Sequence, residues 1–380
     1  MLPFRIGVVG CGKISDVYIQ NCQRFDGLEI VACASLDIAE SQAKASQHGI
    51  AKACSVDEIL NDPDVDCVLN LTIPAAHADI SRRALLAGKH VYSEKPLAAG
   101  FKEALELAEL ADQQRLLVGC APDTILGNRV QTVRKLLDEG LIGEVTGVMA
   151  AVGTHGVERH HPNPDFYYQQ GGGPLLDLGP YYLASLITWL GPIARVGGMG
   201  RKTFDRREIE NGPRQGEFVP VEVDTHELSL LEFESGVIGT MTMSFDVWDS
   251  EMPRLEIYGT DGTICLPDPD PVHGTNQFGG QVWYRRRKDS RWAFQPRPVG
   301  REGWRVAENL EGYDYNARGL GLLDLAGAVR NSRKPRASAQ LALHVCDVIH
   351  QIHRSAETGQ FQHTSTSCAR PEPLYSKQLD

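Results

Sequence analysis

The feature that most constrains this chain lies within its first 24 residues. An apolar run, Phe4–Val9, is followed by Gly10-Cys11-Gly12-Lys13-Ile14-Ser15 and then by a helix-period stretch, Ser15–Arg24. The middle segment matches G-x-G-x-x-G except that Ser15 takes the third place. Gly10 permits a tight turn. Gly12 lets a pyrophosphate approach the backbone, where a helix N-terminus offers N–H donors and partial positive charge. Glycines also serve turns alone. What argues for a ligand is position, directly after an apolar strand and at the head of a strand–helix series.

That series continues through Leu28–Ala34, Cys67–Leu71, His90–Ser93 and Leu116–Cys120 as strands, with helices at Ser55–Leu60, Ala75–Ala87 and Phe101–Ala111 among the segments between them. Ser55-Val56-Asp57-Glu58 is a capping-box pattern. Strands alternating with helices in this way imply right-handed βαβ units and a doubly wound parallel sheet covered on both faces. A long helix, Asn128–Glu139, and the Gly140–Gly143 turn mark the joint to a second half of different rhythm. There Val145–Thr154, His226–Glu234, Val237–Phe245, Leu255–Gly259, Val282–Arg286 and Trp292–Pro296 read as strands, with turns at Glu234–Gly236 and Gly259–Gly262. One strong helix, Leu176–Leu190, interrupts them, and two more, near Asn316–Arg330 and Ala337–Ala356, close the chain. The expected fold is therefore α/β, with an N-terminal dinucleotide-binding domain over 1–122. An α+β domain with a large open, mainly antiparallel sheet follows over 123–360, and residues 361–380 form a polar, loose tail.

Composition limits the partners. At 380 residues the chain suits two domains of about 150 residues or more. Its net charge of −11 disfavours nucleic acid or an anionic membrane as a general partner. Nine cysteines without a C-x2-C pair indicate neither a disulfide scaffold nor a zinc ribbon. No leader-like N-terminus and no apolar run of about 18 residues is present, so a cytoplasmic protein is expected. The basic cluster Arg285-Arg286-Arg287-Lys288, followed by an Asp289-Ser290 turn, reads as an exposed hairpin tip.

Further candidates follow the strand ends. NAD binding usually needs an acid at the end of the second strand, to accept from the ribose 2′-hydroxyl. This chain has Ser35 there, then Leu36 and Asp37. Serine leaves room for a 2′-phosphate, yet no arginine follows, and Asp37 serves equally well as a helix N-cap, so NAD and NADP both stay open. After the third main strand come Thr72, Pro74 and His77, which suit the ligand crevice and equally an ordinary helix start. Glu94-Lys95-Pro96 follows the next strand directly, and Pro96 disfavours helix at Lys95. Lys95 there is either an exposed turn lysine or a proton donor and acceptor. The segment Thr154–Asp165 holds three histidines and two acids without regular metal spacing, and no metal is expected. Arg159, His160 and Asn163 in it suit polyol hydroxyls.

Together with Ala84–Leu97 (ALLAGKHVYSEKPL) and Gly171–Tyr182 (GGGPLLDLGPYY), these residues resemble the glucose–fructose oxidoreductase / inositol dehydrogenase family, also called Gfo/Idh/MocA, from Arg5 to about Gly359. The resemblance implies a Rossmann domain, a second domain built on an open sheet, and homo-oligomers (dimer or tetramer) formed through that sheet. It assigns Gly10, Gly12, Lys13, Ile14, Ser35, Asp37, Thr72, Pro74, His77, Glu94 and Lys95 to the dinucleotide. Lys95, Asp177 and Tyr181 become the catalytic candidates, the last two also touching substrate. Inositol dehydrogenases carry histidine where this chain has Tyr181, which puts inositol specificity in doubt; as plain packing aromatics, Tyr181 and Tyr182 would need no such role. The implied activity is NAD(P)-dependent hydride transfer at a secondary hydroxyl of a sugar, glycoside or cyclitol. The alternatives are glycoside cleavage through transient oxidation and a non-catalytic, ligand-sensing regulator.

Overall fold

The computed structural model describes residues 2–267, 278–289 and 302–375. Its contacts divide the chain into two units. The first runs to Gly127 and resumes over Glu311–Cys346; the second comprises Asn128–Leu310 and Asp347–Tyr375.

In the first unit the order is β1 (Phe4–Val9), α1 (Ser15–Cys22), β2 (Leu28–Ala34), α2 (Ile38–His48), β3 (Lys52–Cys54), α3 (Val56–Asn61), β4 (Cys67–Asn70), α4 (Pro74–Leu86), β5 (His90–Ser93), α5 (Phe101–Gln114) and β6 (Val118–Cys120). The six strands are all parallel, in the order β3-β2-β1-β4-β5-β6. Every residue of β4 is buried, as a strand covered on both faces requires. Helix α5 buries Ala104, Leu107, Ala108 and Ala111, the spacing of one helical stripe, against this layer. The strand order reverses between β1 and β4, and a sheet of this kind binds its ligand at the carboxyl ends on either side of that point.

The second unit continues with α6 (Asn128–Asp138), β7 (Val145–Gly153), α7 (Asp165–Tyr168), α8 (Pro174–Leu190), β8 (Ile193–Arg201), β9 (Arg206–Glu208), β10 (Phe218–Pro220), β11 (His226–Phe233), β12 (Ile238–Ser244), β13 (Leu255–Gly259), β14 (Gly262–Leu266), β15 (Trp283–Arg286) and β16 (Arg305–Val306). After α9 (Leu320–Arg330) in the first unit come α10 (Ala339–Thr358), which crosses the division, and β17 (Gln362–His363). Nine strands form one sheet, β16-β15-β14-β13-β7-β12-β11-β8-β17, antiparallel except for the parallel β7–β12 pair. Alternation in β11 aims Glu227, Ser229, Leu231 and Phe233 inward and leaves Leu228 and Leu230 on the outer face. Helix α8 packs on β11 and β12.

The parallel N-terminal sheet and the mostly antiparallel second sheet agree with the sequence reading, and the capping box at Ser55 and Glu58 forms with both of its hydrogen bonds. Three expectations differ. The second domain is not one continuous stretch over 123–360. Asp123 accepts a hydrogen bond from Gly319 N at 2.5 Å, and Asn21 Nδ2 donates to the carbonyls of Asn316 and Arg318 at 2.8 and 2.9 Å. Such ties, between residues 196 to 297 positions apart, leave no local pattern. The tail is not a loose arm as far as Tyr375: β17 pairs with β8, and the fully buried Asp347 accepts from Ser365 and Thr366 through both backbone and hydroxyl groups. Its serines and threonines, polar in composition, are spent satisfying that carboxylate. Of the Arg285–Lys288 cluster, Arg285 and Arg286 belong to β15, and only Arg287 and Lys288 lie in the short exposed 3-10 turn after it. Ser290 and the expected Trp292–Pro296 strand lie outside the described residues.

Candidate functional site

At the head of the first unit, Gly10 has φ 106°, and a Cβ on it would sit 2.5 Å from the Leu71 carbonyl oxygen. Only glycine closes this turn. Gly12 faces open space, with no atom within 4 Å of where its Cβ would be, and α1 begins without a side-chain cap. Bare backbone beside an uncapped helix start at the switch point fits a dinucleotide pyrophosphate. Ser15, in the third glycine position, is fully buried; its hydroxyl donates to the Gly12 carbonyl at 2.7 Å and so tightens the turn. Lys13 is exposed and Ile14 half-buried on the same loop.

The other strand ends add side chains. Past β2, the Ser35 hydroxyl donates to Glu40 Oε2 at 2.7 Å, and Asp37 caps α2 by accepting from Ala39 N at 2.9 Å. Past β4, the Thr72 hydroxyl donates to Asn70 Oδ1 at 2.7 Å, while Pro74 opens α4. His77, only 1 % exposed, lies with Nδ1 2.6 Å from the Pro96 carbonyl and Nε2 3.0 Å from the Thr72 carbonyl. Its ring is therefore a brace between two crevice loops. Past β5, Glu94 Oε1 accepts from the Tyr18 hydroxyl at 2.8 Å and faces Arg318 Nε at 3.7 Å, while Oε2 accepts from Lys95 N at 2.9 Å. Lys95 itself is half-buried, joined to Pro96 by a cis peptide bond. Behind it Tyr92 donates to Asp123, whose carboxyl burial pushes up to about 6, even though Tyr92 and Gly319 N donate to it. Burial also pushes the Tyr18 and Tyr92 phenols well above their ordinary range.

In the second unit, Asp177 and Tyr181 lie one turn apart on α8, both half-buried, whereas Tyr182 is core. The glycine run before α8 supplies no side-chain cap. Instead Glu227, inward on β11, accepts from Leu175 N at 3.0 Å, and its other oxygen lies 2.9 Å from His353 Nε2. Burial works to lower the His353 pKa, but that carboxylate raises it above the ordinary value.

Arg159, His160 and Asn163 are exposed on the segment after β7. Arg159 reaches Glu210 at 3.3 Å and lies 5.6 Å from the Trp248 ring, on which His155 stacks. The segment is pinned beneath by Glu158, which takes Arg207 Nη1 at 2.8 Å and the Tyr168 hydroxyl, while Arg207 also pairs with Asp246. Among the described residues no three His, Cys, Asp or Glu side chains gather to hold a metal ion. No helix among them is long and apolar enough to cross a membrane.

Sequence reasoning missed Tyr18, Arg318, Glu227, Glu40 and the His155–Trp248 stack. Only Glu40 had a local signal, its place in the first turn after β2. The rest meet their partners across 52 to 224 positions, with no motif to announce them.

A glycine turn at the switch point of a six-stranded parallel sheet, with polar residues at the ends of β2, β4 and β5, defines a dinucleotide-binding oxidoreductase domain. Residues 4–121 match the oxidoreductase family, NAD-binding Rossmann fold, and residues 130–265 match the GFO/IDH/MocA C-terminal domain. The chain is 33 % identical over 269 residues to a dTDP-3,4-didehydro-2,6-dideoxy-alpha-D-glucose 3-reductase of Saccharopolyspora spinosa, covering 70 % of this chain and 74 % of that one. It is 25 % identical over 237 residues to a D-xylose dehydrogenase of Paenarthrobacter nicotinovorans, a match spanning 59 % of this chain and 60 % of the relative's length. A levoglucosan dehydrogenase solved with NADH and levoglucosan superposes with TM-score 0.79 at 18 % identity, over 96 % of this chain and all of that one. The chain belongs to the GFO/IDH/MocA oxidoreductase family.

Proposed function

We propose that this protein oxidises or reduces a secondary CH–OH group of a sugar, glycoside or cyclitol with a bound nicotinamide dinucleotide. The observation that carries this reading is the gathering, at the β1–β4 switch point and the neighbouring strand end, of the bare Gly10–Gly12 turn, the Thr72–His77 loop and Lys95. Relatives named for sugar oxidation or reduction support the substrate class.

When bound, the nicotinamide supplies the hydride acceptor or donor. Gly10, Gly12, Lys13 and Ile14 hold the pyrophosphate by backbone donors, Ser35 and Asp37 flank the adenosine ribose, and Thr72 and Pro74 line the same edge. His77 and Glu94 fix the backbone of the Lys95 segment through carbonyl and amide contacts. Lys95 Nζ and Tyr181 Oη take or return the substrate hydroxyl proton, with Asp177 orienting from one turn before Tyr181. Arg159, His160 and Asn163 offer donors and acceptors to neighbouring hydroxyls. The outer face of the second sheet presents Met199, Leu228, Leu230 and Ile238 to solvent beside the Arg195–Glu232 ion pair. An apolar face of this kind favours a homo-oligomer.

The test is turnover with a panel of sugars and cyclitols, followed by nicotinamide absorbance. Lys95→Ala and Tyr181→Phe should each lower kcat by roughly 10²–10⁴-fold, the range for a lost acid–base group, with dinucleotide binding unchanged. Full turnover in both variants overturns the assignment of the proton to these groups.

A further inference from the structure

The end of β2 bears on which dinucleotide the crevice takes. We propose that Glu40 selects NAD over NADP: its carboxylate, brought from the first turn of α2 to Ser35, stands in for the acid missing at the strand end and turns away a 2′-phosphate. This deepens the dinucleotide reading above and rests on it.

In a sheet of this order the adenosine ribose sits at the end of the second strand, and an acid there accepts from its 2′-hydroxyl. Ser35 occupies that place, and read alone it leaves space for phosphate. The structure fills the space with charge. The Ser35 hydroxyl donates to Glu40 Oε2 at 2.7 Å across the start of α2, so the carboxylate lies beside the position the shorter side chain vacates. A carboxylate has lone pairs for more than one donor, enough for Ser35 and a ribose hydroxyl together. Asp37 stands in the same turn, exposed, but it is engaged in capping α2 through Ala39 N. It adds a second negative charge.

A 2′-phosphate brings a charge of about −1.5 to −2 and calls for a cation. None is offered by Ser35–Ser41, which contains no arginine or lysine. Lys44, one turn after Glu40, is 8 % exposed and holds Asp16 at 2.5 Å. Lys13 stands on the glycine loop, beside the backbone donors suited to the pyrophosphate. Two carboxylates facing a phosphate dianion, with Lys44 already paired, decide the preference. Solvent screens part of the repulsion because Glu40 is exposed.

Calorimetric titration of the full-length protein with NAD⁺ and with NADP⁺ reads this directly. The wild type should bind NAD⁺ at least about 30-fold more tightly, roughly 2 kcal/mol at about 1.4 kcal/mol per tenfold. Glu40→Gln should weaken NAD⁺ severalfold and narrow the ratio, and Glu40→Arg should raise NADP⁺ affinity at least about tenfold. Wild-type binding of NADP⁺ as tight as that of NAD⁺ overturns the proposal while leaving the dinucleotide reading intact. So does a Glu40→Arg variant with an unchanged ratio, or a Lys13→Ala variant that loses NADP⁺ alone. Binding of neither dinucleotide by folded protein, checked by circular dichroism, defeats the underlying reading and the proposal with it.

Discussion

The segments that carry the proposed proton-handling and substrate-binding groups are held differently in the two units. In the first, side chains hold the backbone around Lys95: His77 spans the Pro96 and Thr72 carbonyls, and Glu94 accepts the Lys95 amide. In the second, the segment after β7 and the start of α8 are braced by buried charge. Arg207 sits between Glu158 and Asp246 with side chains 4–8 % exposed, and Glu227 caps α8 from the sheet. The reason is topological. Parallel strands deliver successive loops to one edge, where one nearby side chain can reach the backbone of two of them. An antiparallel sheet sends alternate loops to opposite ends, so a segment leaving it must be tied from afar. The first kind of brace should tolerate charge changes around it; the second should not.

The sharpest way to break that contrast is Arg207→Met. Removing the cation leaves the Glu158 and Asp246 carboxylates buried without their shared partner, a situation that costs about 3–5 kcal/mol. The urea unfolding midpoint should fall accordingly, and the triple variant with Glu158→Gln and Asp246→Asn should recover most of the loss. A drop below about 1 kcal/mol would mean that the second unit is not charge-braced.

Next in size is Asp123, the exception within the first unit, where a carboxyl is fully buried behind Tyr92. Its folded pKa of about 6 lies above the ordinary 3.8, so the folded state holds the proton more tightly. Its contribution is fully present below pH 3.8 and is lost as pH rises through 6. At about 1.4 kcal/mol per unit, this group withdraws roughly 2–2.5 kcal/mol between pH 4 and 7. Asp123→Asn cannot ionise, so its stability relative to wild type should climb over that interval. A constant offset from pH 4 to 7, measured by thermal unfolding, would refute the raised pKa.

The same contrast explains what was legible in the sequence. Five of the six first-unit strands, the glycine turn and the Glu94-Lys95-Pro96 corner follow from local periodicity and turn chemistry, because a βαβ unit writes each element within about thirty residues. Helix α2 and β3 were not resolved in advance; α2 is polar along most of its length and β3 has three residues. The outer strands of the second sheet, β8 and β17, pair across more than 160 positions, and the tail that supplies β17 looks like a solvated arm in composition. On the candidate site, motifs marked Lys95, Asp177 and Tyr181, but what touches their neighbours did not show. Glu227 reads as one more alternating residue of β11, and only its meeting with Leu175 and His353 gives it a task.

Glu227 also offers the finest test. Glu227→Gln keeps an acceptor for the Leu175 amide but removes the charge that raises the His353 pKa. His353 has its pKa raised, so its pairing stabilises the fold below the ordinary 6.5 and the benefit fades as pH rises through the raised folded value. With 37 % of the His353 side chain exposed, solvent screens the pair, and the loss should be about 1 kcal/mol at pH 6 and smaller at pH 9. Because α8 carries Asp177 and Tyr181, a looser cap should lower kcat severalfold at pH 6 while NAD⁺ affinity, set in the first unit, stays as it was. Rescue toward wild-type kcat by Glu227→Asp would argue for the charge over the shape of the side chain. If Glu227→Gln lost the same stability at both pH values, the loss would not come from pairing with His353, and the second unit would resemble the first more closely than its buried charges suggest.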